Sequence, residues 1–158
     1  MVEMALLLPL LLLLIFGIID GGWYIYGYAS AYQAARNGAE LAAQLPPFEA
    51  TLASPARMAD DPCYQTILVE AQEDIAMFDV TQGLVVSYPD NSLSPKRAVG
   101  NPIQVQTTID IKPLTPLFRL IPIGNNGVFR VTSKTIRSIE GLGNTPPTVE
   151  HPNGIACR

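Results

Sequence analysis

MVEMALLLPLLLLLIFGIIDGGWYIYGYASAYQAARNGAELAAQL, residues 1–45, governs the reading of this chain. Residues 4–19 carry no charge, and half of those sixteen are leucine. A continuous helix over 45 residues extends ~68 Å at 1.5 Å per residue. Its first part is apolar on every side. Its later part, residues 31–45, is small, polar and amphipathic, with Arg36 and Glu40 spaced i, i+4 for a weak ion pair. Pro46-Pro47 then ends the helix, because proline lacks a donor and restricts the residue before it.

Three ordinary readings of this segment fit poorly. A secretory signal needs a basic n-region and a small-residue cleavage site, but the only early charge is Glu3. A plain transmembrane anchor has ~20 apolar residues and basic cytoplasmic flanks; this run is shorter and lacks those flanks. A buried core helix would not be apolar all round at one end. The whole chain has 158 residues, 48% hydrophobic and 15% charged. That excludes a disordered protein, and the uneven apolar content excludes a wholly soluble one. The net charge of −4 argues against nucleic-acid binding, which asks for a basic patch.

The missing basic flank points to a mature form whose leader has been removed, with Glu3 close to a free α-amino group. A carboxylate near a membrane core is costly unless paired, and the amine of a neighbouring subunit is a natural partner. Val2-Glu3-Met4-Ala5-Leu6, then Pro9, a Leu/Ile run, Gly17-Ile18-Ile19-Asp20 and Ala34-Ala35-Arg36-Asn37-Gly38-Ala39-Glu40 together resemble the TadE-like family. Its members are pilins and pseudopilins of tight-adherence pilus systems, relatives of type IV pilins. A second likeness covers residues 105–118 (VQTTIDIKPLTPLF) and 128–140 (VFRVTSKTIRSIE), where family members carry a T-P-L-like turn and a strand ending in glutamate. Asp20 stands where the family more often has glutamate. The resemblance implies prepilin peptidase and an inner-membrane assembly machinery as partners. It places cleavage either upstream or just before Met1.

Candidate assembly residues follow. Glu3 is expected to pair with a neighbour's N-terminus and set axial register. Pro9 is either a kink that lets subunits stretch or a tolerated membrane-helix proline. Gly17, Gly21 and Gly22, with Gly27, either allow close helix approach or mark a flexible break. Asp20 either faces water at the end of the apolar run or takes a register or hydrogen-bonding role inside a filament. Trp23, Tyr24, Tyr26 and Tyr28, with Tyr32, form an aromatic belt before assembly and pack between helices after it.

The expected division is a helix over residues 1–45 and a globular domain over 46–158. In the latter, residues 48–57 read as a linker and 62–78 as an amphipathic helix with an acidic outer face. Strands are expected at 84–88, 103–111 and 128–139; the second alternates cleanly, and Arg130, Lys134 and Arg137 make the third a basic edge. The apolar stretch 114–123 either contacts neighbouring subunits or closes the domain's own core. The tail, 141–158, is ordered if Cys157 ties it to Cys63. Such a disulfide suits an oxidising compartment, and two free buried thiols are the alternative. The fold class is α+β and pilin-like: a long apolar helix, a second helix and a three- to four-stranded antiparallel sheet.

Charge is also divided. Residues 1–95 hold eleven acids and two basic residues, net −9; residues 96–158 hold three and eight, net +5. The halves attract within one molecule or between neighbours. No G-x-S-x-G, H-E-x-x-H or P-loop occurs, and His151 is the single histidine. The expectation is therefore a non-enzymatic subunit with no cofactor or metal. It waits in the inner membrane and then polymerises with copies of itself into a surface filament for adhesion. The alternatives are a minor pseudopilin that primes assembly and a membrane-anchored extracytoplasmic binding module that never polymerises.

Overall fold

The computed structural model describes residues 2–78, 83–116, 128–143 and 157, with side chains from Leu7 onward. Helix α1 runs without interruption from Val2 to Gln44. Two short helices follow, α2 (Glu49–Leu52) and α3 (Pro55–Asp60), and then α4 (Pro62–Glu73). Strands β1 (Leu84–Ser87), β2 (Pro102–Ile111) and β3 (Phe129–Ser138) form one antiparallel sheet in the order β1-β2-β3. The class is α+β, with a long apolar helix ahead of a small domain.

The strict alternation of β2 sets the core. Ile103, Val105, Thr107, Ile109 and Ile111 point to one face and are fully buried. The register aligns Val86 with Val105 on one side and Thr135 with Val105 on the other. The rear of α1 lies on β2 and β3 and against α4, and α4 also touches β1. Ala31, Ala34, Ala39 and Ala42 form the buried stripe of α1. Small side chains let the helix axis approach the sheet closely, so the isoleucines fill the space between.

Local sequence explains the ends of the elements. Asp61 caps α4: its carboxylate accepts from the backbone N–H of Cys63 at 2.8 Å, and Pro62 occupies the first helical position, where no donor is needed. The last carbonyls of α1 are satisfied from beyond β3. Glu140 and Gly141 donate to the Ala43 carbonyl, and Gly143 donates to that of Gln44.

Several expectations change. The stretch 48–57 is not a bare linker. The Phe48 carbonyl accepts from Thr51 and Leu52 to close a turn of α2, and Pro55 starts α3. The acidic helix ends at Glu73 instead of residue 78. Beyond it, Ile75 donates to Gln72 and Phe78 to Ile75, a tighter i, i+3 pattern that still delivers both apolar side chains to the core. The Gly21-Gly22 pair does not break α1. Most of the stretch 114–123 and of the tail, including His151, lies outside the described residues.

Candidate functional site: the bare helix and its seat

The front of α1 is uncovered. Leu10 and Ile18 are each 67% exposed, and Leu7, Leu8, Leu11, Leu13 and Leu14 are more than half exposed. Among the described residues α1 is the one helix long and apolar enough to cross a membrane, with a mean hydropathy of 2.0 over its apolar window. Residues 2–19 extend ~27 Å, close to the ~30 Å hydrocarbon core of a bilayer.

The bare part ends at Asp20, which is fully buried. One carboxylate oxygen accepts from the backbone N–H groups of Leu114 (2.9 Å) and Thr115 (3.0 Å), and the other from the Thr115 hydroxyl at 2.5 Å. The loop is built for this. Pro113 and Pro116 bracket the pair and have no N–H of their own, so the loop's two free donors converge on one acceptor. Removing a carboxylate from water is expensive unless donors replace the lost hydration; three donors, all to a charged acceptor, do so. Within the folded chain Asp20 is therefore shut off from water by its own loop.

One turn on, the Trp23 indole donates to the Lys112 carbonyl at 3.1 Å and packs on Phe78, with ring centroids 5.1 Å apart. Tyr24 meets Phe129 edge to face at 4.9 Å. Tyr26 and Tyr28 remain exposed. The aromatic group therefore splits: Trp23 and Tyr24 fasten helix to domain, Tyr26 is half exposed with its ring 5.8 Å from that of Phe78, and Tyr28 faces outward.

The glycines divide in the same way. A side chain on Gly17, Gly21 or Gly22 would meet nothing, and Gly17 and Gly21 border an open apolar groove of about 340 Å³ with Tyr24, Ile111, Phe129 and Val131. A Cβ on Gly27 would collide with Ile111 and press on Phe78, and one on Gly38 would crowd Ala71 and Val105 at 3.2 Å. The close approach lies at Gly27 and Gly38. Gly38 and Thr115 are structural residues that sequence reasoning did not single out. Glycines spaced by eleven residues, three helical turns, share one face of a helix, and that periodicity was the available signal.

Polar contacts hold the upper part. Glu40 accepts from Arg36 at 3.1 Å and from Arg137 at 2.6 Å, and the Asn37 amide donates to Asp74 at 2.7 Å. Arg97 donates to the carbonyls of Pro46 (2.7 Å) and Leu142 (2.9 Å) and lies over the Phe48 ring. The Tyr88 hydroxyl donates to the Pro47 carbonyl. Burial pushes that phenol up to about 12; nearby Arg97 opposes the shift, and Glu49 and Asp61 add to it. Cys63 and Cys157 are joined, with Cα atoms 5.1 Å apart and a sequence separation of 94.

Asp61 lies beside these sulfurs, but they are bonded to each other. One carboxylate, already capping α4, is all that remains, so the trio is no metal-ligand set. Glu3 and Pro9 lie within α1, ahead of the bare stretch and inside it respectively; the Glu3 side chain is outside the described set.

A domain that grips the rear of one helix and leaves its apolar front exposed is consistent with membrane anchoring. Residues 1–40 match the family model of TadE-like protein, the family the sequence resembles. The match ends within α1, before the sheet. No curated protein and no solved structure matches the chain.

Proposed function

We propose that the chain is a structural subunit of a tight-adherence, type IV-like pilus. It waits in the inner membrane with residues 2–19 across the bilayer, is processed by prepilin peptidase, and is then drawn by the assembly machinery into an extracellular filament. There the bare helices of many copies form the core and the α+β domains face outward for adhesion. No enzymatic step, cofactor or metal enters this reading.

The observation that carries it is the uncovered apolar half of α1, coincident with the family match. Roughly 25 cal/mol is gained per Å² of apolar surface removed from water, so this surface needs either lipid or other copies around it. Lipid serves before assembly and neighbouring helices after it. Glu3 then has a stated task, pairing with a neighbour's terminal amine in a core where a lone carboxylate is costly.

Two measurements test the reading. Filaments sheared from producing cells and reconstructed by cryo-electron microscopy should trace this sequence in every repeating subunit. Filaments built wholly from another chain reduce the protein to a minor or anchored role. In parallel, Glu3→Ala should insert into membranes at wild-type levels and yield at least tenfold less filament. Unchanged filament yield removes the pairing role.

A further inference from the structure

Two faces of the domain carry opposite charge. The twelve residues of α4 include no lysine or arginine; Glu70 and Glu73 are exposed on it and Asp74 follows. The ten residues of β3 include no acid; Arg130 and Lys134 share its outer face with Ile136, while Arg137 alternates to the side that packs on α1 and bonds Glu40. Neutralisation within the chain leaves an excess there. Arg130 pairs with Asp110 at 2.8 Å, while Arg36 and Arg137 share the single Glu40. Glu140 also lies beside Arg137 and Glu40, so among the described residues the excess on the outer face of β3 is Lys134.

Each face also has an exposed aliphatic side chain among its charges. Val69 on α4 and Ile136 on β3 are both 56% exposed. The faces lie on opposite sides of the domain, because α4 sits toward β1 and β3 is the other edge of the sheet.

We propose that α4 of one copy docks against the outer face of β3 of the next, Val69 meeting Ile136 while Glu70 and Glu73 face Lys134. This rests on the filament reading and adds to it the lateral contact between domains. The occupant is a second copy because the complementary surface is on the chain itself. A symmetric pairing of α4 with α4, or of β3 with β3, would oppose like charges and is disfavoured. A head-to-tail pairing satisfies both faces, and because each copy keeps one free face it repeats instead of closing as a dimer. The like-charge penalty thus disfavours the two-fold contact, and in the filament reading the head-to-tail contact repeats along the polymer.

The test is disulfide cross-linking of the full chain in cells that make the filament. Both native cysteines are engaged with each other, so introduced thiols report the contact. Val69→Cys combined with Ile136→Cys in one chain should give a ladder of dimers, trimers and higher species on non-reducing gels, and either substitution alone should give monomer. Dimers from a single variant would show symmetric pairing and overturn the proposal. Intact filaments without a ladder would overturn the docking and leave the filament reading standing. Absence of both ladder and filaments from the unsubstituted chain would remove the filament reading, and the docking with it. As a second readout, Glu70→Lys or Lys134→Glu alone should lower sheared filament about fivefold, and the two together should restore it. Equal yield from all of these variants would also overturn the proposal.

Discussion

Leu10 and Ile18 of α1 stand 67% exposed, whereas Ala31, Ala34, Ala39 and Ala42 of the same helix are fully buried. The large apolar side chains are outside and the small ones inside, the reverse of an ordinary soluble helix. The rear half is a packing strut: alanines and two glycines bring it against the isoleucines of β2. Ahead of Asp20 the large apolar side chains described, from Leu7 to Leu14, stay exposed. One continuous helix therefore has two surroundings within the chain, exposed ahead and packed behind, with Asp20 and its loop at the boundary.

The contrast can be tested through the stability of the full chain in detergent, where only the rear half should matter. Cys63→Ser should have the largest effect. Opening a 94-residue separation removes about 4–5 kcal/mol by the chain-entropy account, read as a fall in the thermal midpoint, and it frees the end of the chain. Asp20→Ala should cost about 3 kcal/mol, because the Leu114 and Thr115 donors lose their acceptor. Asp20→Asn, keeping one acceptor oxygen, should fall between that variant and the wild type. A stability unaffected by Asp20→Ala would mean that the boundary is held by other contacts.

Glycines give the sharpest version of the comparison. Gly27→Val should destabilise by about 1–3 kcal/mol, since its side chain must displace Ile111 and Phe78. Gly22→Ala, in open space only five residues away, should be neutral or gain up to about 1 kcal/mol from helix propensity. Equal responses would erase the distinction between the gripped and the bare helix.

The smallest effect concerns pH. The Tyr88 phenol is raised in the folded chain to about 12, above its ordinary value near 10. Its contribution is fully present below pH ~10 and is lost as pH rises toward 12, because the unfolded chain gives up the proton first. Tyr88→Phe should flatten stability against pH in that alkaline window, at the cost of the hydrogen bond to Pro47. An alkaline profile identical to wild type would assign the sensitivity elsewhere, with Tyr64, also raised by burial, the next candidate.

Much of the fold was legible in residue order. The apolar run, Pro46-Pro47, the alternation of 103–111 and the cap before Pro62 are local signals, and each produced its element within a few residues. The site was legible unevenly. Glu3 and Asp20 stood out as charges beside apolar sequence, but the partners of Asp20 are 94 and 95 residues away. No local pattern reports a contact at that separation. The short helices at 49–60 were missed because their apolar signal is weak and they depend on packing around Phe48 and Thr51.

Taken alone, the sequence determined that a long helix with a bare apolar front precedes a small α+β domain, because period, charge and proline act over a few residues. Tertiary structure decided where that helix emerges, which of its glycines are needed for packing, and that acidic and basic faces end on opposite sides of the domain. Those outcomes depend on which distant side chains meet when the rear of α1 settles on the sheet.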